Sequence, residues 1–263
     1  MTEKYLLIVE GAKTEKTIFG SIFEKYGFNV IKCENKISKD YKFEVIESNL
    51  VNDNKNVIII EGPKNRIHDV LLNIISNPTD DIDNIDVETV FGYKPNDFRG
   101  IFWIYDVDHN EPDDIVTMFR KFSDENENGL LLLSSPCIEV LGDFEDRKEL
   151  KVEHLSEYKK ILNVFYNSKC NDNVSSFILK NINKLLLHYL EKNYNDFNDK
   201  NIMNHPSEII DYINRFNIRD NEKHYVVYRY FSTVVYCVLA YVLGLTIEID
   251  NYDIVKNYLK NVK

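Results

Sequence analysis

The sequence contains little glycine, proline or cysteine, the residues whose abundance marks fibrous, disordered and disulfide-rich proteins. Only 9 of its 263 residues are glycine and 6 are proline, which excludes a collagen-like repeat and argues against a generally disordered chain. Its four cysteines, Cys33, Cys137, Cys170 and Cys237, stand far apart, and no CxxC pair is present. This spacing predicts neither a disulfide scaffold nor a zinc site, and it is typical of reduced thiols in a cytoplasm.

An excess of positive charge is also missing. The chain has 32 Lys and Arg residues against 43 Asp and Glu residues, so its formal net charge is -11. A nucleic-acid partner would have to be bound through a local basic surface or through cations, because the overall field repels phosphates. The negative net charge does not argue against a nuclease, because metal ions neutralise the clustered carboxylates of a nuclease site.

Long hydrophobic runs are absent, with one exception. The segment Tyr225 to Leu245 approaches the roughly 20 apolar residues that cross a bilayer, but it contains Arg229 and several tyrosines. We therefore expect no membrane span and predict a buried helix, in a helical domain or at the interface of a homo-oligomer. The first residues, MTEKYLLIVEG, lack the basic and long apolar regions of a secretory signal, so none is expected.

The first half of the sequence alternates short apolar runs with helical patterns. Apolar residues at helical spacing cover Thr14 to Lys25, and Gly27 would end that helix. Further helices are predicted over Arg66 to Ile75 and from Pro112 onward. The apolar runs that predict strands are Tyr5 to Val9, Phe28 to Cys33, Val57 to Ile60, Ile101 to Tyr105 and Leu130 to Leu133. Such strands, separated by helices, predict an α/β fold with a mostly parallel sheet and helices on both faces.

The second part of the sequence has a helical period instead. It covers Tyr158 to Tyr166, Ile178 to Leu190, Ile209 to Phe216 and Tyr225 to Leu243. We therefore predict two domains, an α/β domain over residues 1–150 and an all-helical domain over residues 151–263.

The stretch LLIVEGAKTEKTIF, residues 6 to 19, begins like a phosphate-binding loop but lacks the second glycine of one. The nucleotide-hydrolase loop needs G-x-x-x-x-G-K-[ST], because its glycines let successive backbone N–H groups surround a phosphate. Here Lys13 and Thr14 follow Gly11 too closely for that cradle. What the stretch offers is Glu10, an acid at the C-terminal end of a predicted strand, where open α/β sheets bind their ligands.

Two more acids follow a later predicted strand. Asp106 and Asp108 are two residues apart, and alternate residues of a strand point to the same side, so both can bind one ion. With Glu10 from a neighbouring strand they would form an all-oxygen site for Mg²⁺ or Mn²⁺. Such an ion can polarise a phosphoryl oxygen and lower the pKa of its bound water. The alternative is that these acids only cap the helices that follow; their repetition on two strands favours the metal site.

Three motifs resemble those of a known family. A buried strand ending in Glu-Gly, followed later by a buried strand ending in Asp-x-Asp, resembles the Toprim domain of topoisomerases, primases and overcoming-lysogenization-defect nucleases. The segments LLIVEGAKTEKTIF, IFWIYDVDHNEPDD and LLLSSPCIEVLGDFED, taken together, look like the RloB and AbiL-type abortive-infection proteins. The resemblance covers residues 4 to 146 and implies a Toprim-like, Rossmann-like fold for that part.

The resemblance also implies roles for four acids. Glu10 would be the general acid/base or a metal ligand, and Asp106 and Asp108 would be metal ligands. Glu139 would hold a second cation or orient the residues around the first. A second interpretation of Glu139 stays open, since an acid at a helix N-terminus is stabilised by the helix dipole alone.

Four other residues lie close to these motifs in sequence. Glu15 could join the site or be a solvated acid in the first helical turn. Lys13 could bind a phosphate near that helix start, and His109 could donate a proton to a leaving oxygen, although a surface or structural role is the simpler interpretation of both. Glu61 repeats the Glu-Gly pattern, and we interpret it as structural.

The resulting functional hypothesis is a nuclease that needs Mg²⁺ or Mn²⁺ and hydrolyses phosphodiesters in DNA or RNA. The resemblance further implies an effector of a bacterial anti-phage, abortive-infection system, with an ATPase of the ABC/SMC kind as its partner. Two alternatives remain at this stage. One is a non-catalytic Toprim-like module that binds a partner, and the other is a nucleotidyl or phosphoryl transferase using the same metal site.

Overall fold

The protein is described through a computed structural model. It describes residues 3–11, 14–36, 55–62, 97–107, 122–124, 129–135, 149–152, 156–161, 218–220, 225–229 and 231–232, with single positions between 115 and 126 and between 180 and 188. The chain divides into two compact units. The first unit is Met1–Tyr105 with His109–Leu132, and the second is Asp106–Asp108 with Leu133–Lys263.

The described elements are one helix and ten strands. In chain order they are β1 (Glu3–Val9), α1 (Thr14–Lys25), β2 (Asn29–Lys36), β3 (Lys55–Glu61), β4 (Gly100–Asp106), β5 (Ser123–Asp124), β6 (Gly129–Ser135), β7 (Glu149–Val152), β8 (Ile218–Asp220), β9 (Tyr225–Arg229) and β10 (Phe231–Ser232). Shorter helical stretches include residues 156–161 and described positions between 115 and 120.

The larger sheet is mixed and mostly parallel, as an α/β fold requires. Its strand order is β10-β6-β4-β1-β3-β2, and the seventh strand, β5, pairs with β6. Strand β1 lies between β3 and β4 and is parallel to both, and β2 is parallel to β3. Strands β5 and β10 pair antiparallel with β6. The sequence prediction of a mostly parallel sheet is confirmed, and the finer assignment to a Toprim-like fold stays a prediction.

Each predicted strand of the first half exists. Strands β1, β3, β4 and β6 extend beyond their predicted bounds, and β2 begins one residue after its predicted start and continues to Lys36. The middle strands are buried on both sides, because Leu6 to Val9, Val57 to Ile60 and Ile101 to Tyr105 are all at most 3% exposed. This burial explains why their sequences are continuous apolar runs rather than alternating patterns. The helix predicted over Arg66 to Ile75 lies outside the described residues.

Helix α1 has the predicted bounds, and its end is a Schellman motif. The N–H of Phe28 donates to the carbonyl of Phe23 at 3.1 Å, and the N–H of Gly27 donates to the carbonyl of Glu24 at 3.0 Å. Gly27 has φ of 84°, a conformation that costs glycine least. The rings of Phe23 and Phe28 pack edge to face, with their centroids 5.1 Å apart, and complete the motif's hydrophobic contact.

Helix α1 packs closely against β2. A Cβ on Gly20 would overlap the side chain of Lys32, so the glycine makes room for that side chain to cross the helix, where its Nζ lies 3.5 Å from Glu24 Oε1. Lys16 Nζ donates to the carbonyl of Cys33 at 2.7 Å. Burial raises the pKa of the Cys33 thiol to about 11, against a smaller opposing effect of Lys16, so this thiol is protonated at neutral pH.

The second unit contains a small antiparallel sheet, and this corrects the prediction of an all-helical region after residue 150. Strands β7 and β8 both pair antiparallel with β9. Strand β9 occupies Tyr225 to Arg229, where a helix was predicted, because YVVYR is rich in β-branched and aromatic residues that favour strands. Among the described residues, no helix is long and apolar enough to cross a membrane.

Candidate functional site

The carboxyl ends of β1, β3 and β4 lie along one edge of the larger sheet. In the registers of β1 with its two neighbours, Val9 lies opposite both Glu61 of β3 and Ile104 of β4. The three parallel strands therefore end at nearly the same level. This edge is where an open α/β sheet binds its ligands.

Glu10 is the first residue beyond β1, and its backbone is held by the sheet. Its N–H donates to the carbonyl of Ile104 at 3.1 Å, which extends the pairing of β1 and β4 by one step. Its side chain is half-buried. Glu10 is thus placed at the strand end as the sequence predicts, and solvent reaches it.

Gly11 provides space for a second carboxylate. A Cβ built on Gly11 would overlap the carboxylate of Glu15, which lies in the first turn of α1 and is only 7% exposed. The carboxylate of Glu15 therefore lies against the backbone directly after Glu10. The interpretation of Glu15 as a solvated capping acid is wrong, because a side chain in free solution would not be packed onto Gly11.

Glu61 and Gly62 occupy the equivalent position after β3. Glu61 is 2% exposed, and the N–H of Gly62 donates to the carbonyl of Val9 at 2.8 Å. A Cβ on Gly62 would lie 2.9 Å from the hydroxyl oxygen of Tyr105, which is itself 1% exposed. The second Glu-Gly pair thus packs tightly against β1 and β4, a packing that agrees with the structural role predicted for Glu61.

Asp106 is the last residue of β4 and is 6% exposed. The next residue, Val107, is also buried, and its N–H donates to the carbonyl of Ser134 at 2.9 Å. The expected alternation, with Asp106 and Asp108 on one side and Val107 on the other, stays a prediction. Asp108, His109, Glu139 and Lys13 all lie outside the described residues.

The donor chemistry of these residues fits a hard divalent cation. Glu10 and Asp106 present carboxylate oxygens at strand ends, and such oxygens are the ligands that Mg²⁺ and Mn²⁺ prefer. Burial of carboxylates is compensated by hydrogen bonds, by cationic partners or by metal ions. Within the described part of the chain, no group of three or more His, Cys, Asp and Glu residues is placed to hold a metal ion. The three-acid site therefore stays a prediction.

The sequence left two interpretations of Glu15 open and did not single out Tyr105 as functional. The burial of Glu15 depends on its contact with Gly11, and the only sequence signal for that contact is the glycine itself. Tyr105 is read from the sequence as part of an apolar strand, yet its hydroxyl fills the space beside Gly62.

Comparison with known proteins identified no relative. No protein-family model matches the chain, and neither a curated protein nor a solved structure matches it.

Proposed function

We propose that this chain is a divalent-metal-dependent nuclease that hydrolyses phosphodiester bonds in DNA or RNA. The observation that supports this most directly is the placement of an acid at the end of each of two neighbouring parallel strands, Glu10 after β1 and Asp106 at the end of β4. The proposed ligands of Mg²⁺ or Mn²⁺ are Glu10, Asp106 and Asp108.

The residues of the proposed site have distinct tasks. Asp106 and Asp108 would bind the cation, which when present supplies Lewis-acid polarisation of the phosphodiester. Glu10 would bind the same cation or transfer a proton, and its half-buried side chain remains accessible to a substrate. Glu139 would hold a second cation or orient the other acids. The buried carboxyl group of Glu15 lies against Gly11, directly after Glu10, and so borders the proposed site.

The first test is cleavage of plasmid DNA and of total tRNA by the purified chain with Mg²⁺, with Mn²⁺ and with EDTA. We expect metal-dependent cleavage that Asp106→Asn lowers by at least about 100-fold, because loss of a ligand removes several kcal/mol of charge stabilisation. Asp124→Asn is the matched control, since Asp124 is exposed and Asn retains the Oδ1 that accepts the N–H of Asn126.

Three other outcomes would change the proposal. A wild-type protein that binds Mn²⁺ but cleaves neither substrate would support the non-catalytic module. Extension of labelled nucleotides on a template would support nucleotidyl transfer. Equal cleavage by wild type and Asp106→Asn would show that the activity does not belong to this site.

The proposed biological role is that of a cytoplasmic effector in a bacterial anti-phage system, with an ABC/SMC-type ATPase as partner. This role is supported by the motif resemblance alone. It predicts that phage plating efficiency falls in cells that express the wild-type chain with its genomic neighbours and not in cells that express Asp106→Asn. Equal plating in the two strains would exclude it.

A further inference from the structure

The peptide group between Val9 and Glu10 is held from both sides. Its carbonyl oxygen accepts the N–H of Gly62 at 2.8 Å, and its N–H donates to the carbonyl of Ile104 at 3.1 Å. Both bonds lie at or just beyond the last residue pairs that β1 forms with β3 and β4. Because the two bonds fix the plane of this one peptide, they also fix the position of the Glu10 Cα atom, from which the side chain extends.

The bond on the β3 side depends on the absence of a side chain at position 62. A Cβ there would lie 2.9 Å from Tyr105 Oη and 3.0 Å from Ile8 Cγ2. Contacts below 3.0 Å are essentially never seen for real Cβ atoms, so one of the two groups would have to move. Gly62 is buried, and the positive-φ glycines of the described chain are Gly27 and Gly129. Position 62 therefore needs glycine for space and not for its backbone conformation.

Tyr105 cannot move away easily. It is 1% exposed and belongs to β4, and its ring is stacked near that of Trp103 with the centroids 6.4 Å apart. A side chain on residue 62 would consequently push the end of β3 away from β1. The bond from Gly62 to the Val9 carbonyl would lengthen, and the Val9–Glu10 peptide could rotate.

We infer that Gly62 and the hydroxyl of Tyr105 act together as positioning residues for Glu10. Neither touches the proposed metal or substrate. Their close packing holds the Val9–Glu10 peptide in place, and with it the Cα atom that carries the Glu10 side chain. This inference rests on the proposed role of Glu10 in metal-dependent cleavage.

The test uses Gly62→Ala in two backgrounds, wild type and Tyr105→Phe. In the wild-type background we expect kcat to fall by about tenfold to about hundredfold with KM little changed, since a misplaced catalytic group slows the chemical step more than binding. In the Tyr105→Phe background the obstructing oxygen is gone, so Gly62→Ala should lower kcat by less than about threefold. Gly20→Ala is the control, because a Cβ there meets only the flexible side chain of Lys32.

A second measurement does not depend on activity. Exchange of the Glu10 amide hydrogen, followed by NMR, should be slow in the wild-type protein, faster in Gly62→Ala and slow again in Gly62→Ala/Tyr105→Phe. Mn²⁺ affinity should follow the same order.

The outcomes separate this inference from the proposed function. Unchanged exchange of the Glu10 amide in Gly62→Ala overturns the positioning role, whatever the activity. Equal losses of kcat in the two backgrounds also overturn it, because they show that the tyrosine hydroxyl is not the obstruction. A wild-type protein without metal binding or cleavage, but with the expected exchange pattern, refutes the nuclease proposal and leaves the coupling between Gly62, Tyr105 and Glu10 supported.

Discussion

At the scale of single residues, Gly27 and Gly129 have the same kind of backbone but different surroundings. Their φ angles are 84° and 104°, which side chains with a Cβ rarely adopt. In the described part of the chain, no atom other than those of its two chain neighbours lies within 4 Å of a Cβ built on Gly27. A Cβ on Gly129 would lie 2.6 Å from Trp103 Nε1 and 3.0 Å from Ile101 Cγ2. The first glycine is needed for conformation alone, and the second is needed for conformation and space.

We therefore predict that Gly129→Ala destabilises the protein more than Gly27→Ala. The positive φ lowers the free energy of unfolding by about 1–2 kcal/mol for either alanine substitution. Overpacking against Trp103 lowers it by about 1–3 kcal/mol more for Gly129→Ala only. Thermal denaturation should show the lower midpoint for Gly129→Ala. Trp103 is the single tryptophan, so its emission should shift in Gly129→Ala and stay unchanged in Gly27→Ala. Equal midpoints and equal spectra would contradict the contact.

The acids near the strand ends differ in how well their positions could be predicted from the sequence. Glu10 and Asp106 directly follow or end continuous apolar runs, so their position at strand ends was predictable and is confirmed. Their role as metal ligands stays a prediction. The burial of Glu15 was not predictable, because it depends on how α1 leaves β1 and brings Glu15 onto Gly11.

At the scale of elements, β1 is paired with a neighbour on both sides over Tyr5 to Val9. It is hydrogen-bonded to β3 over seven residue pairs and to β4 over five. In the described part of the chain β2 is paired with β3 only, and its register shifts between Lys32 and Lys36. Each residue of a parallel strand directs its N–H and carbonyl to one side, so a strand with one neighbour has half of these groups outside the ladder.

This difference predicts the order of amide hydrogen exchange. The amides of Leu6, Leu7 and Ile8 should exchange more than about tenfold more slowly than those amides of β2 that point away from β3. A tenfold difference corresponds to about 1.4 kcal/mol of opening free energy. Hydrogen exchange followed by NMR would show whether protected and unprotected amides alternate along β2. Uniformly strong protection along β2 would show that it has a second neighbour in the chain.

In β9 the local sequence pattern predicts a helix, whereas pairing with other strands gives a strand. Apolar residues in Tyr225 to Leu243 are compatible with a helical period, and this favoured a helix. The residues of β9 instead pair with β7, which is distant in sequence, and with β8, which ends at Asp220 shortly before β9. A short apolar run is compatible with both structures, so the available partners decided the outcome.

At the scale of the whole molecule, the net charge of -11 determines how a nucleic acid can approach. The long-range field of the chain repels phosphates, and bound divalent ions reduce that repulsion locally. A nuclease with this charge needs its cation for substrate binding as well as for chemistry, or it needs a basic partner protein.

We accordingly predict that the chain alone binds nucleic acid only with divalent ions present. Fluorescence anisotropy with a labelled oligonucleotide measures this binding for the wild-type protein, with Ca²⁺ as the divalent ion. Affinity for wild type with Ca²⁺ should exceed affinity with EDTA by about tenfold or more, since each compensated charge contact is worth about 1 kcal/mol or more near a protein surface. Equal affinity in EDTA would reveal a basic surface that the overall composition conceals.

The sequence by itself determined the five principal strands of the α/β part, helix α1 with its glycine end, and the position of acids after two strands. These follow from local physics, because continuous apolar runs must be buried on both sides and glycine alone adopts a positive φ at little cost. Only the tertiary structure decided that β1 lies between β3 and β4, that Gly62 and Tyr105 meet beside Glu10, and that Tyr225 to Arg229 form a strand. Those features depend on which distant segments pack together, and no local pattern contains that information.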